Sequence, residues 1–125
     1  RARREPDNFD PYLQLGIIYA EEGEPEEALK LFEKARELDP ENPAIYNNLG
    51  NIYYLQDKYT EAVEAYAAAV ENDPADPYVL VNLARANLKN DQREQASQNF
   101  SRAIELSPEI AAKYRSMALE LMSPL

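Results

Sequence analysis

The sequence predicts an all-helical protein in which pairs of helices stack side by side into a solenoid. Three observations point to this fold class. The sequence repeats itself every 34 residues. Each repeat contains two segments whose apolar residues recur at helical spacing, and capping residues or prolines mark where the segments meet.

The period is visible when the chain is shifted against itself. A shift of 34 residues places Leu15 and Gly16 on Leu49 and Gly50, and then on Leu83 and Ala84. Small, aromatic and proline positions follow the same shift: Ala28, Ala62, Ala96; Phe32, Tyr66, Phe100; Ala35, Ala69, Ala103; and Pro40, Pro74, Pro108. We therefore divide a single domain into an arm (1–8), repeats at 9–42, 43–76 and 77–110, and a capping helix or truncated fourth repeat at 111–125.

Each repeat is predicted to contain two helices that pack on each other. In the first repeat, Leu15, Gly16 and Tyr19 share one face of the first helix, and Ala28 and Phe32 share one face of the second. We expect the small residues to let two helix backbones approach closely where they cross. Because one helix pair cannot bury its apolar face alone, the stacked repeats must form a common core.

The ends of these helices are marked by residues with known roles at turns and caps. Asn42 before Pro43 and Asp76 before Pro77 place an N-capping side chain next to a proline in the first helical turn. Within each repeat, one residue is expected to mark the turn between the two helices: Gly23, Asp57 and Asp91. Gly23 suits a left-handed helix end.

These aligned positions resemble the tetratricopeptide repeat family over residues 9–118. The resemblance implies a right-handed superhelical solenoid whose first helices line a concave groove, and a noncatalytic module that binds a peptide or partner protein in that groove. Two positions depart from the family pattern, Leu80 in place of a large aromatic and Asn87 in place of a tyrosine. We expect looser packing in the third repeat, or a site with another purpose.

Composition argues against several classes of function. The formal net charge is -10, and three of the 13 basic residues lie in the first four positions, so binding to nucleic acid or to anionic lipid is not expected. Cysteine, histidine and tryptophan are absent, and no catalytic or phosphate-loop motif occurs. We therefore expect no enzymatic activity, no cofactor and no metal.

Cellular location and origin stay open at this point. No apolar run is long enough to insert into a membrane. The absence of cysteine fits the cytoplasm and the periplasm equally well. A sequence that starts at Arg1 and follows the repeat pattern so closely also fits an excised fragment or an engineered chain.

Helical spacing assigns a set of side chains to the concave side of the first helices. These candidate partner-binding residues are Leu13, Ile17, Asn47, Asn48, Asn51, Tyr54, Tyr78, Val81, Asn82, Arg85, Lys89 and Arg115. Asparagine is a poor helix former, so these residues need a reason to lie inside helices. Each amide side chain offers both a donor and an acceptor to an extended backbone, which resembles the asparagine ladders of some family members. The alternative is a solvated polar face. The apolar members could form pockets for a ligand or be ordinary core.

Charge is graded along this predicted groove. Asp10 and Glu21 lie near its first repeat, whereas Arg85, Lys89 and Arg115 lie near its end. We therefore expect a protein or peptide ligand whose acidic group or terminal carboxylate binds at the C-terminal end.

The basic clamp of chaperone-docking family members is not expected here. The positions that match this clamp are Leu13, Ile17, Asn48, Tyr78 and Asn82, and only Asn48 fits.

A rival function is self-assembly into a homo-oligomer. Leu119, Met122 and Leu125 are left without a predicted intramolecular partner on the end helix. The exposed end could stack on a second copy, or the arm at 1–8 could enter the groove of a neighbour.

Overall fold

Three helix pairs and two short terminal helices make up the protein in a computed structural model that describes residues 10–122. The pairs are α1 (Pro11–Glu21) with α2 (Pro25–Leu38), α3 (Pro43–Leu55) with α4 (Tyr59–Asn72), and α5 (Pro77–Lys89) with α6 (Arg93–Leu106). The chain ends in α7 (Ile110–Lys113) and α8 (Arg115–Met122). The prediction of an all-helical solenoid is confirmed. The arm at 1–8 and Leu125 lie outside the described residues.

The first helix of each pair starts at a proline that follows a capping side chain. Oδ1 of Asp10 accepts from the backbone N–H groups of Tyr12 and Leu13, at 3.0 and 3.2 Å. Asn42 and Asp76 cap α3 and α5 in the same way. These bonds satisfy N–H groups that have no partner within the helix, so the helix starts are fixed by local chemistry.

The turn inside each pair passes through the left-handed region of backbone space. The φ angles are +78° at Gly23, +61° at Asp57 and +59° at Asp91. Glycine adopts this conformation freely, and aspartate tolerates it better than most residues. The three predicted positions therefore lie in the three turns that connect the two helices of each pair.

The core of each pair is organised around an aromatic ring of the second helix. A Cβ atom built on Gly16 would lie 2.6 Å from Cε1 of Phe32, and one on Gly50 would lie 2.6 Å from Cδ1 of Tyr66. The ring, rather than the neighbouring backbone, occupies the space that the missing side chain leaves. At these two glycines the close approach is therefore between a helix backbone and an aromatic ring.

The third repeat is tightly packed, and the expectation of looser packing there is wrong. Leu80 and Asn87 are only 1% and 3% exposed. The amide Nδ2 of Asn87 donates to Oε1 of Gln92 at 3.0 Å, and its Oδ1 accepts from Nδ2 of Asn99 at 2.9 Å. A buried amide with both ends bonded costs little to desolvate, and this one ties α5 to α6.

The expected single end helix is divided in two at Tyr114. The backbone there has φ -116° and ψ 51°, which is outside the helical region. Ile110, Ala118 and Leu121 are nevertheless buried against the third repeat, as a cap requires. Leu119 is 63% exposed on α8. Across residues 10–122, none of the helices has the length and apolar character needed to span a membrane.

Candidate functional site

The first helices of repeats two and three form one continuous polar surface. We call it the first-helix face, and it comprises Asn47, Asn48, Asn51 and Tyr54 of α3 with Tyr78, Asn82, Arg85 and Lys89 of α5. Nδ2 of Asn82 donates to Oδ1 of Asn47 at 3.0 Å, which joins the two helices across the repeat boundary. This bond uses one end of each amide, so within the described residues the oxygen of Asn82 and the NH2 of Asn47 remain available to a ligand.

The other two asparagines of this face are also held in place by one bond each. Nδ2 of Asn48 donates to the backbone oxygen of Ala44 at 2.8 Å, a bond that a polar side chain often makes within its own helix. Oδ1 of Asn51 accepts from the hydroxyl of Tyr66. Burial raises the pKa of the Tyr66 phenol far above its usual value, so this hydroxyl keeps its proton and remains a donor.

Two of the predicted groove residues belong to the core instead. Leu13 is 7% exposed and packs in the hydrophobic cluster that contains Phe32. Val81 is fully buried in the cluster that contains Ile110 and Leu121. These residues occupy equivalent repeat positions, and in both cases the side chain packs within the core rather than lining an open groove. The structure thus places both side chains in the core, which is the alternative that the sequence left open for the apolar members. Ile17 is partly exposed, although it packs against the same cluster as Leu13.

The C-terminal end of the first-helix face contains two adjoining cavities. The first has a volume of about 400 Å³ and the second of about 380 Å³. The first is lined by Arg85, Lys113, Tyr114, Arg115, Ser116 and Met117. The second is lined by Arg85, Leu88, Lys89, Ser116, Met117 and Glu120. Sharing Arg85, Ser116 and Met117, the two cavities form one recess between α5 and the terminal helices.

Aromatic rings hold two of the cations of this recess. Nζ of Lys113 lies 4.7 Å from the ring centroid of Tyr78 and 6.0 Å from that of Tyr114. The guanidinium carbon of Arg85 lies 5.9 Å from the centroid of Tyr114. A cation over an aromatic face is attracted to the ring without losing its charge, so both side chains are positioned and still able to bind an anion.

The recess is basic in a protein that is strongly acidic overall. Among the described residues, no carboxylate lies within ion-pair distance of Arg85, Lys89, Lys113 or Arg115. Glu120 lines only the second cavity. The three predicted cations Arg85, Lys89 and Arg115 thus lie around one recess.

Lys113 was missed by the reasoning from sequence. Its repeat position is equivalent to that of Val79, which is 7% exposed and belongs to the core. The break at Tyr114 removes Lys113 from that register and leaves it exposed. The signal in the sequence was a lysine at a repeat position that is aliphatic in the second and third repeats.

The fold is that of a protein built from stacked helix-turn-helix repeats, with a polar face on its first helices. Comparison with known proteins identifies the family of these repeats. Two profiles, both described as tetratricopeptide repeat, match residues 13–77 and 53–118. The chain belongs to the tetratricopeptide repeat family. The comparison with curated proteins found no match to this chain.

Solved structures share the fold over most of their length. The first tetratricopeptide domain of Spaghetti (RPAP3), bound to the HSP90 peptide SRMEEVD, is 23% identical with a TM-score of 0.80, covering 90% of this chain and 92% of that one. The N-terminal domain of stress-induced protein-1 from C. elegans is 27% identical with a TM-score of 0.75, covering 86% and 91%. The Yersinia enterocolitica secretion chaperone SycD, in complex with a peptide of the translocator YopD, is 20% identical with a TM-score of 0.81, covering 89% of each.

Proposed function

We propose that this protein is a noncatalytic interaction module that holds an extended segment of a partner protein along the first-helix face. In this proposal an acidic group of the segment, or its terminal carboxylate, binds in the recess at the C-terminal end. The observation that carries the proposal is the recess itself: a basic pair of cavities, the first of them also lined by Tyr114, in a chain with a net charge of -10.

The chemistry of the face suits an extended polypeptide. An extended backbone presents N–H and C=O groups that need partners, and the asparagines retain both donors and acceptors for them. The basic recess adds orientation, because it attracts the acidic part of a ligand while the rest of the surface repels it. That two of the similar structures contain bound peptides supports the same interpretation.

A capture experiment with matched variants tests this proposal. The protein is immobilised and exposed to a library of unstructured peptides, half of them carrying Asp and Glu near the C-terminus. Arg85→Glu should weaken the captured acidic peptides by at least about tenfold, since a like charge replaces a cation. Arg102→Glu makes the same charge change on an exposed position of α6 and should leave affinity unchanged.

Asn82→Ala provides a second arm that is independent of net charge. It removes the amide that links α5 to Asn47 and should weaken all captured peptides, acidic or not. The proposal of binding along the first-helix face, called the groove proposal below, is wrong if no peptide is captured. It is also wrong if Arg85→Glu and Arg102→Glu bind acidic peptides with equal affinity while circular dichroism shows that both are folded.

Self-association through the solenoid ends is the second candidate function. Leu15 and Ile18 of α1 are 43% and 47% exposed at one end, and Leu119 is 63% exposed at the other. Contact between the two different ends would be head-to-tail and would build a chain of copies. Sedimentation velocity over a range of concentrations tests it: a mass that rises with concentration and falls to the monomer in Leu119→Glu supports association, and a constant monomer mass excludes it.

A further inference from the structure

We propose that the first cavity of the recess takes a phosphate group on a side chain of the partner segment. We call this cavity the Tyr114 pocket, lined by Arg85, Lys113, Tyr114, Arg115, Ser116 and Met117. The inference rests on the proposed function, because the phosphate would be the acidic group that the recess binds.

The number and placement of the cations favour a doubly charged ligand over a carboxylate. Arg85 comes from α5, Lys113 from α7 and Arg115 from α8, so three cations approach one cavity from three elements. A carboxylate carries one charge and two oxygens, and a single guanidinium can satisfy both. A phosphate carries a charge of roughly -1.5 to -2 and three acceptor oxygens, which matches three separate cations better.

The pocket contains no group that would neutralise these cations internally. No Asp or Glu lines it. Glu120 lines the adjoining cavity rather than this one. The pKa of Glu109 is lowered by hydrogen bonds at its own backbone and to Ser107, and to a lesser extent by the charge of Lys113. Because ring faces position Lys113 and Arg85, the cations need little rearrangement before they bind an anion.

Neutral donors add to the cationic lining. The hydroxyl of Ser116 can donate to a phosphate oxygen. The break at Tyr114 also makes Ser116 and Met117 part of the first turn of α8, where Ala118 N–H bonds back to the Tyr114 oxygen at 3.0 Å. Backbone N–H groups that precede this bond have no acceptor within the helix.

The test compares a phosphate with a carboxylate on the same small scaffold. The probes are phosphoserine and glutamate, each acetylated at the N-terminus and amidated at the C-terminus, titrated into the 15N-labelled protein and followed by NMR. At pH 7 we expect shifts of the Ser116 and Met117 amides with phosphoserine, and affinity at least about tenfold higher than for glutamate. Lys113→Gln should reduce this preference, and Lys58→Gln, at an exposed position far along the chain, should not.

The pH dependence separates the two kinds of ligand. The second pKa of a phosphorylated side chain is about 6, so lowering the pH from 7 to 5 removes much of its second charge. The protein contains no histidine, the side chain whose ordinary pKa lies between pH 5 and pH 7. Binding of phosphoserine should therefore weaken several-fold toward pH 5, whereas binding of glutamate should change little.

Each outcome bears on one of the two proposals. A phosphate preference that depends on Lys113 and falls toward pH 5 supports the pocket. Equal binding of both probes, or no shift with phosphoserine, overturns the phosphate inference. The groove proposal would survive that result if acidic peptides were still captured in an Arg85-dependent way.

Discussion

Replacing Gly50 by alanine would test the packing that sets each helix pair. The new Cβ would lie 2.6 Å from both Cδ1 and Cε1 of the Tyr66 ring and 2.9 Å from its Cγ, whereas ordinary contacts of this kind begin at 3.4 Å. The ring has little freedom to move away, because Tyr66 is 3% exposed and its hydroxyl is bonded to Asn51.

The expected cost follows from two opposing effects. Alanine is favoured over glycine inside a helix by about 1 kcal/mol. Overpacking a filled core costs roughly 1–3 kcal/mol, and the contact with three ring carbons places this site near the upper limit. We therefore expect Gly50→Ala to lower the free energy of unfolding by about 2 kcal/mol, even though alanine is the better helix former.

Urea unfolding followed by circular dichroism at pH 7 measures this change. Combining Gly50→Ala with Tyr66→Leu should recover part of the loss, because a smaller and more flexible side chain leaves room for the methyl group, and the double-mutant cycle should show a favourable coupling. A Gly50→Ala protein as stable as the parent, or more stable, would show that helix propensity rather than the ring contact governs this position.

Two further predictions concern pH and the turns. Burial raises the pKa of Tyr66, so the folded state holds this proton more tightly than the unfolded chain, in which the pKa of tyrosine is about 10. The resulting stabilisation of the folded state is fully present below pH 10. Above pH 10 it is lost by up to about 1.4 kcal/mol per pH unit. Urea unfolding between pH 8 and pH 11 should show this loss, smaller in Tyr66→Phe, and identical slopes in both proteins would contradict it. At the turns, Gly23→Ala should cost about 1 kcal/mol of stability because φ is +78°; no atom lies near the new Cβ, so the cost comes from the backbone alone. Asp91→Gly, at φ +59°, should be neutral or stabilising. The reverse order of stability in thermal unfolding would refute this argument.

Much of the fold could be predicted because its signals are local and repeated. Helix starts follow from the caps at Asn42 and Asp76, and the turns from residues that tolerate positive φ. The burial of individual side chains was less predictable, since it depends on which helices pack against them. Leu15 and Leu49 hold the same repeat position, yet they are 43% and 3% exposed, since Leu49 packs in a cluster with Phe32 and Ala35 of the preceding helix pair.

The candidate site was predicted only in part, for a related reason. The cations Arg85 and Arg115 could be assigned from register, but Lys113 could not, because no glycine or proline marks the break at Tyr114. The departure at Asn87 was visible in the sequence, whereas its bonds to Gln92 and Asn99 involve geometry that only the folded chain provides.

The hydroxyl of Tyr66, a buried residue, influences which polar group the first-helix face presents at Asn51. By donating to Oδ1 of Asn51, it occupies the oxygen of that amide, so the NH2 donor is the end left for another partner. A change from tyrosine to phenylalanine on α4 would free the amide to turn over and present an acceptor instead. Under the proposed function, specificity could thus be changed by a substitution at a position that the ligand does not contact. A search for specificity determinants among exposed residues alone would miss this position.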